Sequence, residues 1–186
     1  TEHIDILLLH RPDALVQPDE VASAFDELHA AGKVLAFGVS NHTPRQIELL
    51  QRSVRQKLAV NQVQLSLLHA GIIAQGVAMN IADEPLAVTV DGGGIVDYCR
   101  LNDIALQAWS PFQGPNGVFL GSSAHPELNA EIDRVAAAHG VEPIAVATAW
   151  ITRHPAEIQV VLGTTSPSRV TDAAPGPGVD TPEDLE

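Results

Sequence analysis

Five short apolar runs, beginning near positions 4, 34, 60, 104 and 158, punctuate the chain, and helical periodicity fills most of the gaps between them. Strands joined by helical crossovers are parallel and buried on both faces, so this rhythm restricts the chain to α/β architectures. Doubly wound sheets and (β/α)8 barrels both satisfy it.

Local signals fix where the elements start and stop. Ile4 to Leu9 reads as a buried strand, halted by His10-Arg11-Pro12 because proline cannot continue a central ladder. Pro18 to Ala31 carries Val21, Ala24, Phe25 and Leu28 at helical spacing, with Gly32 as its stop. After the run Val34 to Val39, Thr43-Pro44-Arg45-Gln46 combines a capping box with proline at the first helical position, and Ile47, Leu50 and Val54 form the buried stripe. Val60 to Leu65 is the third strand. Ile72, Ile73, Val77 and Met79 suggest a loose helix before a loop through Pro85, and Gly92 to Leu101 a second one burying Ile95, Val96 and Cys99. Ile104 to Trp109 is a fourth strand, and a loop rich in glycine and proline leads to helices over Pro126–His139 and Pro143–Arg153. The fifth strand, Ile158 to Leu162, ends at Gly163. Residues 171–186 hold three prolines, five acids and no base, which predicts a disordered tail after a single domain over 1–170.

Composition removes several functional classes. With 45% apolar residues the chain has enough material for a core, and its lone Cys99 excludes a disulfide framework or a multi-cysteine zinc site. The histidines lack metal-like spacing; His42, His69, His125, His139 and His154 read as surface or loop residues, and no metal is expected. A net charge of −13 argues against nucleic acid, which needs a positive footprint. No run reads as a membrane span or a signal peptide, so a cytoplasmic setting is expected.

Chemistry-bearing residues gather where the strands end: His10, Ser40-Asn41-His42, Gln62 and Gln64, Trp109-Ser110, and Thr164-Thr165-Ser166. In a parallel α/β fold those ends converge on one face, where ligands bind. The coincidence in all five strands marks a location, not a reaction.

Several motifs, in order and at about the same spacing, resemble the aldo-keto reductases. They are Ile4-Asp5-Ile6-Leu7-Leu8-Leu9-His10-Arg11-Pro12, Gly38-Val39-Ser40-Asn41, Asn61-Gln62-Val63-Gln64, Ala108-Trp109-Ser110-Pro111-Phe112 and Gly163-Thr164-Thr165-Ser166-Pro167-Ser168-Arg169. The stretch from Asp91-Gly92-Gly93-Gly94 to Gln113 is most similar to a bacterial subgroup of predicted oxidoreductases. The resemblance implies a (β/α)8 TIM-type barrel of which about five of eight units are present. It implies NADP(H) as cofactor and a small-molecule aldehyde or ketone as substrate, reduced to an alcohol. His10 resembles the histidine that orients the substrate carbonyl. Ser40, Asn41 and Gln62 resemble the residues holding the nicotinamide carboxamide, and Trp109 the aromatic that stacks on that ring. Ser110 and Phe112 open the loop similar to the pyrophosphate clasp. Thr164, Ser166 and Arg169 resemble the partners of the adenosine 2′-phosphate, a role suited to the planar guanidinium fork. Gly163 stands where many members have lysine, and Asp172 and Ala173 where many have Glu-Asn.

The family's tyrosine acid, with its lysine and aspartate, lies before the strand that ends at His10. The chain's only tyrosine, Tyr98, falls inside a helix, and Lys33 and Lys57 are likewise misplaced. General acid help is worth about 10²–10⁴-fold, so cofactor contacts with little turnover are expected. A single barrel takes about 250 residues against the 186 present. Three explanations compete: a truncated reductase, half of an assembly completed by a second polypeptide, and a noncatalytic relative that binds cofactor or a protein partner. Open sheet edges would also favour self-association.

Overall fold

The structure, a computed structural model, describes residues 2–77 and 94–180. The expected loop through Pro85, Met79 and the helix start at Gly92 lie outside the described residues. The chain divides into two compact units, one of residues 1–63 and 71–106, the other of 64–70 and 107–186. Because the units interleave along the chain, no linker marks their boundary, and the sequence offers none to find.

In the first unit, β1 (Ile4–Leu9), β2 (Val34–Ser40) and β3 (Leu58–Gln64) pair in parallel and in sequence order, with Ile4 opposite Val34, Leu9 opposite Val39 and Ser40 opposite Gln62. The crossover helix α1 (Pro18–Ala30) has proline in its first turn beside Asp19 and Glu20, with His29 in its last, matching the helix dipole. It buries Phe25, whose ring stacks on Phe37 of β2 at 3.9 Å between centroids. In α2 (Pro44–Gln51) the Thr43 hydroxyl accepts from the Gln46 amide, and the Gln46 side chain accepts from the Thr43 amide at 2.9 Å, closing the expected capping box. β2 needs glycine at 38: a Cβ there would fall 2.6 Å from Leu8 Cδ2 and 2.7 Å from the Val60 carbonyl oxygen. Helices α3 (Gly71–Val77) and α4 (Ile95–Leu101) follow, α4 burying Ile95, Val96 and Cys99.

In the second unit, β4 (Ala105–Trp109), from Gln107 on, pairs in parallel with β7 (Gln159–Val160). Between them stand a hairpin, β5 (Gln113–Gly114) with β6 (Gly117–Val118), and the helices α5 (Pro126–His139) and α6 (Pro143–Thr152). Gly140 closes α5 at φ 64°, a left-handed cap that glycine adopts without strain. Phe119, Ile132, Val135, Ala136, Val146 and Ala147 form the core. Apart from the antiparallel β5–β6 hairpin, the strand pairs within each unit are parallel and follow the chain's β–α progression, as in a (β/α) barrel.

Three expectations need correction. β1 is not a buried strand: Ile4 is 49% and Ile6 42% exposed, because β1 has β2 as its one neighbour among the described residues. The stretch after Phe112 is not all loop, since the β5–β6 hairpin occupies part of it. The tail does not begin at 171 either. Helix α7 (Pro167–Ala173) runs through it, a 3₁₀ turn follows at Gly176–Gly178, and both pack on α6 with Ala173 and Gly176 buried. Acidic composition concealed this, because the docked contacts are made by small residues that carry little hydropathy signal. Residues 181–186 lie outside the described part.

Candidate functional site

In the first unit the C-terminal ends of three adjacent strands are joined by hydrogen bonds. Ser40, last in β2, donates its hydroxyl to the Gln62 carbonyl at 2.8 Å. Asn41 Nδ2 donates to Ser40 Oγ at 2.9 Å and to the His10 carbonyl at 3.4 Å, and the Asn41 amide donates to the Gln62 carbonyl at 2.9 Å. Asn41 holds φ 60°, the left-handed region that asparagine tolerates better than most residues. His10, Ser40, Asn41 and Gln62 are thus brought together, with the His10 side chain exposed and Ser40 buried.

Sequence reasoning missed the layer beneath. His42, expected at the surface or in a loop, does lie in the loop after β2 but is only 5% exposed, and its Nδ1 lies 2.9 Å from the Ser40 carbonyl. Since a carbonyl can only accept, Nδ1 carries the proton. Burial pushes the His42 imidazole below its ordinary value, with the Ser40 hydrogen bond opposing more weakly. Asn61, fully buried, donates Nδ2 to the His42 carbonyl at 2.9 Å. No periodicity distinguishes a polar residue that braces a turn from one that faces water; the one available signal was that Asn61 interrupts an apolar strand.

Tyr98 lies at the other end of the strands. It lines a cavity of about 340 Å³ with Ile47, Leu58 and Ile104, and Leu58 is the first residue of β3. Burial, and then the Glu48 charge, raise its phenol above the ordinary range.

The second unit holds a cavity of about 530 Å³, of ligand size. Ser110, Phe112, Thr164 and Arg169 line it; Trp109 and Ser166 are not among its lining residues. Ser110, at φ 51°, turns the chain out of β4, and its carbonyl accepts from the Gln113 amide at 3.1 Å. Trp109 is half-buried, and Ser166 shares a hydrogen bond with Ser168 at 2.9 Å. Arg169 has no ion pair with any described residue. The lining also includes residues that motif reading passed over: apolar Val118, Leu120 and Ile144, and the carboxylates Asp133, Glu142 and Asp172. The apolar wall suits a planar group and Arg169 an anion on it, against the three carboxylates that share the lining. Gly163 lies on this wall with no atom within 4 Å of where a Cβ would stand. Among the described residues no cluster of potential metal ligands occurs, and no helix is long and apolar enough to cross a membrane.

Parallel β–α progression defines the α/β-barrel class, with polar residues gathered at the C-terminal ends of the strands. The chain belongs to the aldo/keto reductase family, whose profile matches residues 1–174. A 6-dehydroglucose reductase of Agrobacterium fabrum is 37% identical over 174 residues, which is 94% of this chain and 52% of that protein. Oxidoreductase YdhF of Escherichia coli is 46% identical over 97 residues, 50% of this chain and 33% of that protein. The crystal structure of an aldo-keto reductase from Klebsiella pneumoniae in complex with NADPH superimposes with a TM-score of 0.72 at 23% identity, covering 99% of this chain and 56% of that one. This likeness shows the (β/α)8-type fold. The chain spans about half the length of the curated relatives it matches.

Proposed function

We propose that this chain supplies the cofactor-holding and carbonyl-orienting part of an NADP(H)-dependent reductase of aldehydes or ketones. The observation that carries the reading is the hydrogen-bonded cluster of His10, Ser40, Asn41 and Gln62 at three adjacent strand ends. An amide-bearing ring needs fixed donors and acceptors to present one face, and this cluster has both. The names of the relatives, reductases and oxidoreductases, support the same reaction class.

The residues of each unit, taken by themselves, suit one part of a dinucleotide. Asn41 and Gln62 would hold the carboxamide, with Ser40 fixing the Asn41 amide. Trp109 offers an indole face for stacking. Ser110 and Phe112 would border the pyrophosphate, and Thr164, Ser166 and Arg169 the 2′-phosphate, Arg169 being the cation of that cavity. Held there, the cofactor would supply the hydride. His10, exposed at the end of β1, orients the substrate carbonyl by donating a hydrogen bond to its oxygen.

A second reading, a noncatalytic cofactor-binding relative, is favoured by the position of Tyr98, which stands at the opposite end of β3 from Gln62. One experiment tests both. The purified chain is titrated with NADPH by tryptophan fluorescence, then assayed for reduction of small aldehydes and ketones. Binding with little turnover is expected. Turnover at ordinary enzymatic rates would overturn the view that the proton donor is missing from these residues, and absence of binding would overturn both readings.

A further inference from the structure

We propose that His42 and Asn61 are positioning residues that lock the Ser40–Asn41 turn from its buried side. The inference rests on the reading that this turn meets the nicotinamide. Residues 40–42 leave β2 and reverse direction, with Asn41 in the left-handed region. Such a conformation persists in a non-glycine residue only where its surroundings over-determine it. Here three backbone groups at the bend have partners. The Ser40 carbonyl accepts from His42 Nδ1 at 2.9 Å, the Asn41 amide donates to the Gln62 carbonyl at 2.9 Å, and the His42 carbonyl accepts from Asn61 Nδ2 at 2.9 Å.

Two of those three partners are side chains that packing alone would not select. His42 is 5% exposed and Asn61 fully buried, at positions where an apolar residue would avoid desolvating a polar group. Asn61 Oδ1 has no hydrogen-bond partner and the amide's other polar neighbour is the buried Cys99 thiol, so the residue keeps a poorly compensated buried amide while presenting its Nδ2. That cost is intelligible if the geometry of the turn is what is being maintained. From the exposed side Asn41 Nδ2 is held by Ser40 Oγ and the His10 carbonyl; from the buried side His42 and Asn61 hold the backbone it hangs on. Neither needs to touch a ligand.

Substitution at 42 separates the hydrogen bond from the bulk. His42→Phe keeps an aromatic ring without a donor, whereas His42→Asn places an Nδ2–H about where imidazole Nδ1–H stands. Hydrogen exchange at the Asn41 amide is measured in the ligand-free chain, and NADPH affinity by fluorescence, with thermal melting to confirm folding. His42→Phe and Asn61→Leu are expected to speed Asn41 exchange and weaken NADPH each by about tenfold, while His42→Asn stays within about twofold of the parent. Unchanged exchange in His42→Phe, or His42→Asn failing as His42→Phe does, overturns the proposal. If the parent chain binds no NADPH but exchange follows this pattern, the positioning role stands and the nicotinamide reading falls; if NADPH binds and exchange is indifferent, the reverse holds.

Discussion

Ser40 and Gln62 are register partners across β2 and β3, and the Ser40 hydroxyl donates to the Gln62 carbonyl at 2.8 Å. The same hydroxyl accepts from Asn41 Nδ2, so it orients a neighbouring amide while tying two strand ends together. Ser40→Ala removes both contacts without creating a clash. A net intramolecular hydrogen bond contributes about 0.5–1.5 kcal/mol, so a stability loss near 1 kcal/mol and a three- to tenfold weaker NADPH affinity are expected. Urea unfolding and fluorescence titration measure the two. A variant that loses stability but binds NADPH as tightly as the parent would show that the Asn41 orientation is immaterial to the ligand.

Charge in the second unit's cavity sets a separate expectation. Arg169 lines it together with Asp133, Glu142 and Asp172, so one cation faces three carboxylates. Hydrogen bonds to charged groups contribute about 1.5–3 kcal/mol, and Arg169→Gln is expected to weaken NADPH by about 10–100-fold while changing NADH little. Gly163→Lys should act in the opposite direction, tightening NADPH several-fold at low salt, since nothing lies within 4 Å of the new Cβ. Parallel titrations with NADPH and NADH test the pair. Equal responses to the two dinucleotides would remove the 2′-phosphate from this cavity.

The residues that sequence reading found and missed differ in a physical way. The placement of His10, Ser40 and Asn41 was legible because they fall at or just past the ends of apolar runs, positions that hydropathy can locate, and that of Gln62 because it breaks the apolar alternation near the end of β3. Thr164 was placed in the same way, past the end of the last strand, whereas Arg169 sits on α7 and was singled out only by the family resemblance. His42 and Asn61 were not, because their importance lies in burial, and burial of a polar group is a tertiary outcome. Asp133 and Glu142 reach the cavity from α5 and the cap of α6, elements whose contribution depends on packing and leaves no local motif. β1 was misread as buried because its six-residue apolar run describes what the strand could cover, whereas its exposure depends on its neighbours.

The docked segment after α7 gives a stability prediction. A Cβ on Gly176 would stand 2.6 Å from Thr148 Cβ and 2.8 Å from the Ala145 carbonyl oxygen, both on α6. Gly176→Ala must therefore push the 3₁₀ turn off that helix, and overpacking of this kind costs about 1–3 kcal/mol. Gly178→Ala, where no atom lies within 4 Å, serves as the control and should be near neutral. Thermal unfolding of the two variants side by side decides the matter; equal stabilities would mean that the segment does not pack on α6 in solution.

Two buried groups of the first unit set opposite limits on the pH range of stability. His42 titrates lower in the folded chain than its ordinary 6.5, chiefly through burial. The unfolded chain therefore takes up a proton first on acidification, so this stabilisation is complete above about pH 6.5 and is lost as pH falls below it. Cys99, fully buried on α4, is pushed from its ordinary 9.0 up to about 12 by burial. There the unfolded chain gives up its proton first, so stability is complete below about pH 9 and declines as pH rises toward 12. Each group contributes a slope of at most about 1.4 kcal/mol per pH unit. Urea midpoints measured from pH 5 to 10.5 should trace a plateau between two declining limbs. His42→Asn is expected to flatten the acid limb and Cys99→Ala the alkaline one, each leaving the other intact. In the folded chain at pH 8, Cys99 should also react with a thiol reagent far more slowly than in urea, because both its thiolate fraction and its access are suppressed. Rapid labelling under native conditions would mean that α4 opens locally and that Cys99 does not titrate as a buried thiol.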